Sequence, residues 1–246
     1  MKKQWRYLAI IGVAMPLIGH ATPFALTVSG RIYDSADTYG NLFGRGAGLY
    51  TVVGDTAQIT FYYDTATAPQ DSDPSANQGH YYRSSQWISS LAWVDSAVVP
   101  DFTNGSGDTN NVDGIELKKD VPNASYDALS AEDYAYDDQQ INGEYRYATK
   151  KNYLSFNGSP FLSSDSLNQS FSFNAPALNN IYGYIYAERM TSGNCQTATP
   201  CVQGWAAFHI EQVKWAAQPV PEPITLTLLG AGLAGLGVVR RWSRHG

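Results

Sequence analysis

Histidine and cysteine, the residues most often recruited for catalysis and metal binding, are scarce in this 246-residue chain, with four and two copies. His20 and His245 lie in the terminal segments, so only His80 and His209 serve the body between them. There is no Gly-x-Ser-x-Gly elbow and no His-Glu-x-x-His segment, the signatures of a serine hydrolase and a zinc protease. Cys195 and Cys201 do not form a Cys-x-x-Cys pair, and no second close cysteine pair accompanies His209-Ile210-Glu211, which argues against structural zinc. Positive charge is also short. Of 16 Lys and Arg, six (Lys2, Lys3, Arg6, Arg240, Arg241 and Arg244) sit at the ends, whereas of 22 Asp and Glu only Glu222 does. The remaining 10 cations and 21 anions leave the body near −11. Such a surface repels phosphate backbones and anionic lipid heads, so nucleic acid is excluded as a partner. Convincing helical periodicity is missing from the body as well, although 124–138 has room for a short helical turn.

What the chain does have is concentrated first at its ends. Lys2, Lys3 and Arg6 precede an apolar run from Tyr7 to Ile18 and the small-x-small triplet Gly19-His20-Ala21. That is the plan of a secretory signal peptide cut between Ala21 and Thr22 by signal peptidase. At the other end, Pro221-Glu222-Pro223 leads into an apolar run from Ile224 to Val239 and then Arg240, Arg241 and Arg244. As a helix this run is about 24 Å long, a little short for a hydrocarbon core of about 30 Å. Leucines alternate with glycines on every side, so it belongs in lipid or a buried core, and the arginines behind it are a stop signal that favours the cytoplasmic side.

This tripartite end resembles the PEP-CTERM sorting signal of exported proteins in Gram-negative bacteria. Pro221, Glu222 and Pro223 match its motif, and a short membrane helix and basic cluster follow at the family's spacing. The resemblance implies transient anchoring in the inner membrane, processing by an exosortase-type protease, and delivery to the cell surface or beyond. A second stretch, from Gly54 to Thr65 and on through Pro69, Asp71, Asp73, Pro74 and Gly79-His80-Tyr81, is similar to an early hairpin of many such proteins. Ile59 stands where that pattern often has glycine. The resemblance implies an export route and names no reaction.

The body alternates with period two. Strands are expected at Ala25–Tyr33, Leu49–Val53, Ala57–Asp64, Trp87–Asp95, Gly114–Lys118, Tyr145–Phe156, Ser170–Asn174, Ile181–Met190 and Trp205–Trp215. The expected organisation is a signal peptide (1–21), a single all-β sandwich of jelly-roll type (22–217), and the sorting segment (218–246). Outside the cytoplasm, Cys195 and Cys201 are expected to form a disulfide worth about 2 kcal/mol if unstrained.

Candidate sites are few. Acidic residues at 107–114, with Asp71 and Asp73, offer two places for Ca2+, although Asn/Asp turns explain both segments and no cofactor is required. Asp133, Asp137 and Asp138 read as a solvated loop. Tyr182, Tyr184 and Tyr186 alternate with Ile181 and Ile185, which puts three phenol rings on one face, either as a stacking platform for sugars or as cross-strand packing. Three readings follow: an exported, non-enzymatic surface or matrix protein associated with exopolysaccharide or biofilm, a carbohydrate-binding module, and a secreted jelly-roll hydrolase using two carboxylates.

Overall fold

The computed structural model describes residues 23–73, 75, 77–103, 112–120, 126–141, 144–174, 178–191 and 201–218. The cleavage site at Ala21 and Thr22, Cys195, the Pro221-Glu222-Pro223 motif, the apolar run and Arg240, Arg241 and Arg244 lie outside the described residues, as does most of 107–114.

Twelve strands occur among the described residues. They are β1 (Pro23–Asp37), β2 (Gly48–Leu49), β3 (Thr56–Asp64), β4 (Gln78–Arg83), β5 (Ile88–Val94), β6 (Ala97–Val98), β7 (Val112–Lys118), β8 (Asp127–Ile141), β9 (Glu144–Gly158), β10 (Phe171–Asn174), β11 (Leu178–Thr191) and β12 (Val202–Ala217). The all-β expectation holds, but the pairing differs from two separate jelly-roll sheets. All twelve strands join one antiparallel open sheet in the order β4-β7-β8-β9-β11-β12-β1-β3-β5-β6, with β2 on β1 and β10 on β12. Several strands are 14 to 16 residues long, and their continuous ladders leave no break at which a second sheet could start.

The sheet rolls over so that its inner face packs on itself. Ser90 of β5 reaches Asp133 of β8 and Asn152 of β9, although β5 lies far from both in the pairing order. Inside the roll lie Leu26, Ile59, Phe61, Ile115, Leu129, Leu154, Phe156, Ile185, Phe208 and Trp215, all essentially inaccessible. The period-two pattern produces this directly: on β3, Ala57, Ile59, Phe61 and Tyr63 face in while Gln58 and Tyr62 remain half-buried on the outside. Polar tips are tied off within the core, where Trp215 Nε1 donates to Tyr63 Oη (2.5 Å) and Tyr63 donates to Leu167 O (2.7 Å).

The exposed edge is blocked. On β4, the His80 N–H donates to Asp71 Oδ1 (2.8 Å), and its carbonyl accepts from Ser72 N (3.0 Å), so the loop takes positions another strand would need. In β1, bulges between Ser29 and Gly30 and between Ile32 and Asp34 bend the strand against β12. Gly30 is required there, since a Cβ would sit 1.7 Å from the His209 carbonyl oxygen.

Three expectations are corrected. The expected strand Leu49–Val53 pairs only at Leu49, because Tyr50 at φ 60° turns the chain. The stretch 124–138 holds no helical turn within its described part, since from Asp127 onward it is the long strand β8. Its inward residues are Leu129, Ala131, Asp133 and Ala135, and these small or charged side chains hide the hydrophobic alternation. Asp133 is correspondingly 1 % exposed, so it is not a solvated loop residue; Asp137 and Asp138 belong to the same strand.

Candidate functional site

Two constellations stand out, one inside the roll and one on its outer face. The inner one is built around Asp133, which the sequence suggests to be a solvated loop residue. Ser90 donates to Asp133 Oδ2 (2.5 Å), Asn152 Nδ2 donates to Ser90 Oγ (2.7 Å), and Lys150 Nζ sits 3.1 Å from Asp133 Oδ2 and 2.8 Å from Asp101 Oδ2. Ser90, Asp101, Lys150 and Asn152 border a cavity of about 180 Å³ together with Val99 and Tyr186. Burial pulls the Lys150 ammonium down, but Asp133 and Asp101 outweigh it and hold the group above the usual lysine range. Lys150 therefore stays charged and cannot serve Ser90 as a base. Burial raises Asp101, but Lys150 and the two hydrogen bonds from Thr103 overcome that and lower it, so it is ionised as well. The arrangement is that of a compensated buried ion pair, with the lysine taking the place a metal cation would need.

Other aspartates organise loops. Asp37, fully buried, accepts from the N–H groups of Gly40, Leu42 and Phe43. Asp127 does the same for Asp120, Phe161 and Leu162. Asp113, read in the sequence as part of a calcium loop, is fully buried and accepts from Trp87 N (2.7 Å) and Ile88 N (3.0 Å). Burial, countered by those N–H groups and reinforced by Asp133, pushes its carboxyl up to about 7. Both bonds fall on Oδ2, and Oδ1 is buried with no hydrogen-bond partner, so the carboxyl is turned into the protein and does not face a surface loop. Asp71 and Asp73 make local turns, Asp71 to Asp73 N and Asp73 to Ser75 N. Among the described residues no group of three His, Cys, Asp or Glu is placed to hold a metal ion.

The outer face is aromatic. Tyr182 is 40 % exposed, Tyr184 and Tyr186 are half-buried, and all three project outward while Ile185 and Ala187 point in. The neighbouring strands contribute partners that the sequence alone did not bring together. Tyr153 of β9 lies 5.5 Å from Tyr182, Trp205 of β12 stacks on Tyr184 at 6.1 Å, and His209 stacks on Tyr33 of β1 at 4.3 Å. On the far side, His80 and Tyr82 of β4 sit 4.3 Å apart, with Tyr82 laid across Gly114, where any Cβ would collide with its ring. The registers link these positions directly: Tyr82 faces Gly114, Gly114 faces Glu132, Glu132 faces Tyr153, and Tyr153 faces Tyr184. With strands about 4.8 Å apart, the seven strands from β4 to β1 carry this row for roughly 29 Å.

Tyr182 and Tyr186 are held neutral. Burial, then the hydrogen bond with Tyr153, pushes Tyr182 up to about 12. Burial also raises Tyr186, whose hydroxyl donates to Glu188 Oε2 at 2.7 Å. Both histidines of the body thus pack on tyrosines of the outer face, His80 additionally 2.7 Å from Ser72 Oγ through Nδ1. Cys201 is 2 % exposed and is not a free thiol; its expected partner Cys195 lies outside the described residues.

Comparison with known proteins yields one match. The family model of the PEP-CTERM protein-sorting motif matches residues 219–241, which include Pro221, Glu222, Pro223, the apolar run, Arg240 and Arg241. No curated protein and no solved structure shows significant similarity to the chain. The C-terminus of this chain is a PEP-CTERM protein-sorting motif, and the motif implies an exosortase-processed, exported protein associated with the cell surface.

Proposed function

We propose that this is a non-enzymatic surface or matrix protein that holds extracellular polysaccharide along its outer aromatic face. The observation that carries the reading is the row from Tyr82 through Tyr153, Tyr182, Tyr184 and Trp205 to Tyr33 on the outer face of the sheet, with Tyr33 and Tyr182 exposed and the others half-buried. Aromatic rings offer apolar faces to the C–H faces of sugar rings, and their hydroxyl or N–H edges hydrogen-bond ring substituents. A row crossing seven strands suits an extended chain better than a single small molecule. The part of Tyr184 and Trp205 that stacks internally fixes their ring planes, which lowers the entropy cost of meeting a ligand.

The route to that location follows from the two ends. Signal peptidase removes residues 1–21 after Ala21, the helix after Pro223 halts in the inner membrane with Arg240, Arg241 and Arg244 inside, and an exosortase-type protease then releases the body. In the oxidising space beyond, Cys195 pairs with Cys201, which the buried and bonded state of Cys201 supports. A hydrolase reading has less behind it, because the buried carboxylate Asp133 and the more exposed Asp101 are both paired with Lys150.

The reading is tested by co-sedimentation of the exported protein with exopolysaccharide from the producing cells. Replacing Tyr182, Tyr184 and Trp205 together by alanine should abolish sedimentation with the polymer while the protein stays folded. Unchanged binding by that variant would remove the outer face from the account.

A further inference from the structure

A groove of about 340 Å³ lies on the same outer face, away from the tyrosine row, and is lined by Ser29, Thr56, Ala57, Gln58, Trp93 and Ser96. Ser29 of β1 faces Gln58 of β3, and Gln58 faces Trp93 of β5, so the three side chains stand in line across adjacent strands. The two-residue turn at Asp95 and Ser96, both at positive φ as in the common two-residue hairpins, brings Ser96 to the open end beside Thr56, whose carbonyl accepts from Asp95 N (2.9 Å). At the opposite end β1 bulges between Ser29 and Gly30.

The chemistry of the lining is selective. Trp93 is half-buried and supplies an aromatic surface, and no lining residue is charged. Among the described residues, none of the side chains of Ser29, Thr56, Gln58, Trp93 and Ser96 has a hydrogen-bond partner within the protein. Three hydroxyls, one amide and one indole N–H are therefore available at one place, able to donate and accept in a pattern that matches vicinal hydroxyls. The volume is at the lower end of small-ligand pockets and fits one or two sugar rings.

We infer that this groove is a discrete binding site for a neutral sugar unit, in which Trp93 stacks on the ring and Gln58, Ser29, Thr56 and Ser96 hydrogen-bond its hydroxyls. Neutral sugars are favoured because an ionised substituent would meet no counter-charge in the lining, and an anionic one would also meet a body near −11. The inference rests on the polysaccharide reading of the outer face and deepens it by adding a second contact point, which would bind a short oligosaccharide that the long tyrosine row holds only weakly.

The test uses the full-length protein purified in detergent, with cellotetraose, maltotetraose, chitotetraose and a uronic-acid tetramer as probes in separate titrations followed by calorimetry. At least one neutral tetramer should bind, and the uronic-acid tetramer should not. Trp93→Ala and Gln58→Ala should each weaken the neutral probe by about tenfold or more, the loss of one stacked ring or of a hydrogen-bonded ring contact. Both positions lie half-buried on the outer face, outside the core, so circular dichroism should stay unchanged and the protein should still melt cooperatively, and Trp93→Phe should recover most of the affinity. The alanine triple variant at Tyr182, Tyr184 and Trp205 should bind the same tetramer as the wild type does. Wild-type affinity in Trp93→Ala would overturn the groove, as would the absence of neutral-tetramer binding in a protein that still sediments with exopolysaccharide. Loss of both kinds of binding would overturn the outer-face reading as a whole.

Discussion

Replacing Lys150 by methionine puts the inner constellation under the most direct strain. Lys150 is 7 % exposed and Asp133 1 %, and the ammonium is the cation beside that carboxylate. Methionine fills similar volume, so the loss is electrostatic: a buried carboxylate keeps the hydrogen bond from Ser90 and loses its counter-charge. Breaking a buried pair on one side costs about 3–5 kcal/mol. For a domain of this size that is roughly 10 °C in melting temperature. The sign of the pH dependence follows. A buried carboxylate that has lost its counter-ion is relieved by protonation, so acid offsets the loss and alkali does not. The deficit of Lys150→Met should accordingly be small near pH 4 and grow as pH rises. Adding Asp133→Asn should restore much of the loss by removing the orphan charge. Urea denaturation of the three proteins at pH 4 and pH 8 measures all of this. A Lys150→Met deficit below about 1 kcal/mol at pH 8, or one independent of pH, would refute the claim that this pair is a compensated buried ion pair.

Three further outcomes are expected. Gly30→Ala should destabilise by roughly 3 kcal/mol or more, because the new Cβ meets backbone rather than a movable side chain, and a melt within a degree of wild type would show that the bulge can yield. Asp113, raised to about 7, binds its proton more tightly folded than unfolded, so its contribution to stability is greatest in acid and falls as pH rises toward 7. Asp113→Asn should flatten that part of the profile, while Asp113→Ala should cost about 2–4 kcal/mol by stranding the N–H groups of Trp87 and Ile88. A profile that stays the same in Asp113→Asn would contradict this. Replacing Pro221, Glu222 and Pro223 by alanine should leave the helix able to insert yet trap an unprocessed form in the inner membrane, and a mutant of wild-type mass and location would reduce the motif to a linker.

The sequence made the strands legible where one face is apolar, as in β3 with Ile59, Phe61 and Tyr63, and where aromatics alternate, as in β11. It failed at β8, whose inward side is Leu129, Ala131, Asp133 and Ala135. A buried aspartate is affordable there because its cation arrives from the paired strand and its hydroxyl donor from across the roll, contacts no local window contains. The same non-locality hid the single sheet, since period-two alternation specifies inner and outer faces but not which strand neighbours which. The outer aromatic row was half visible. Tyr182, Tyr184 and Tyr186 share a face by spacing alone, whereas Tyr33, Tyr153 and Trp205 join them only through the registers of β1, β9 and β12. Asp113 misled for a related reason: a run of Asp and Asn looks the same whether its carboxylates face solvent or reach inward to cap the start of β5.

The central claim, that polysaccharide lies along the outer face, is most directly tested by hydroxyl-radical footprinting of the exported protein with and without its own exopolysaccharide. Tyr33, Tyr153, Tyr182, Tyr184 and Trp205 should be protected by the polymer, while Tyr50, 64 % exposed on the β2 turn and off the row, should react as in the free protein. Equal reactivity of the row with and without polymer, or protection centred on Tyr50, would contradict it.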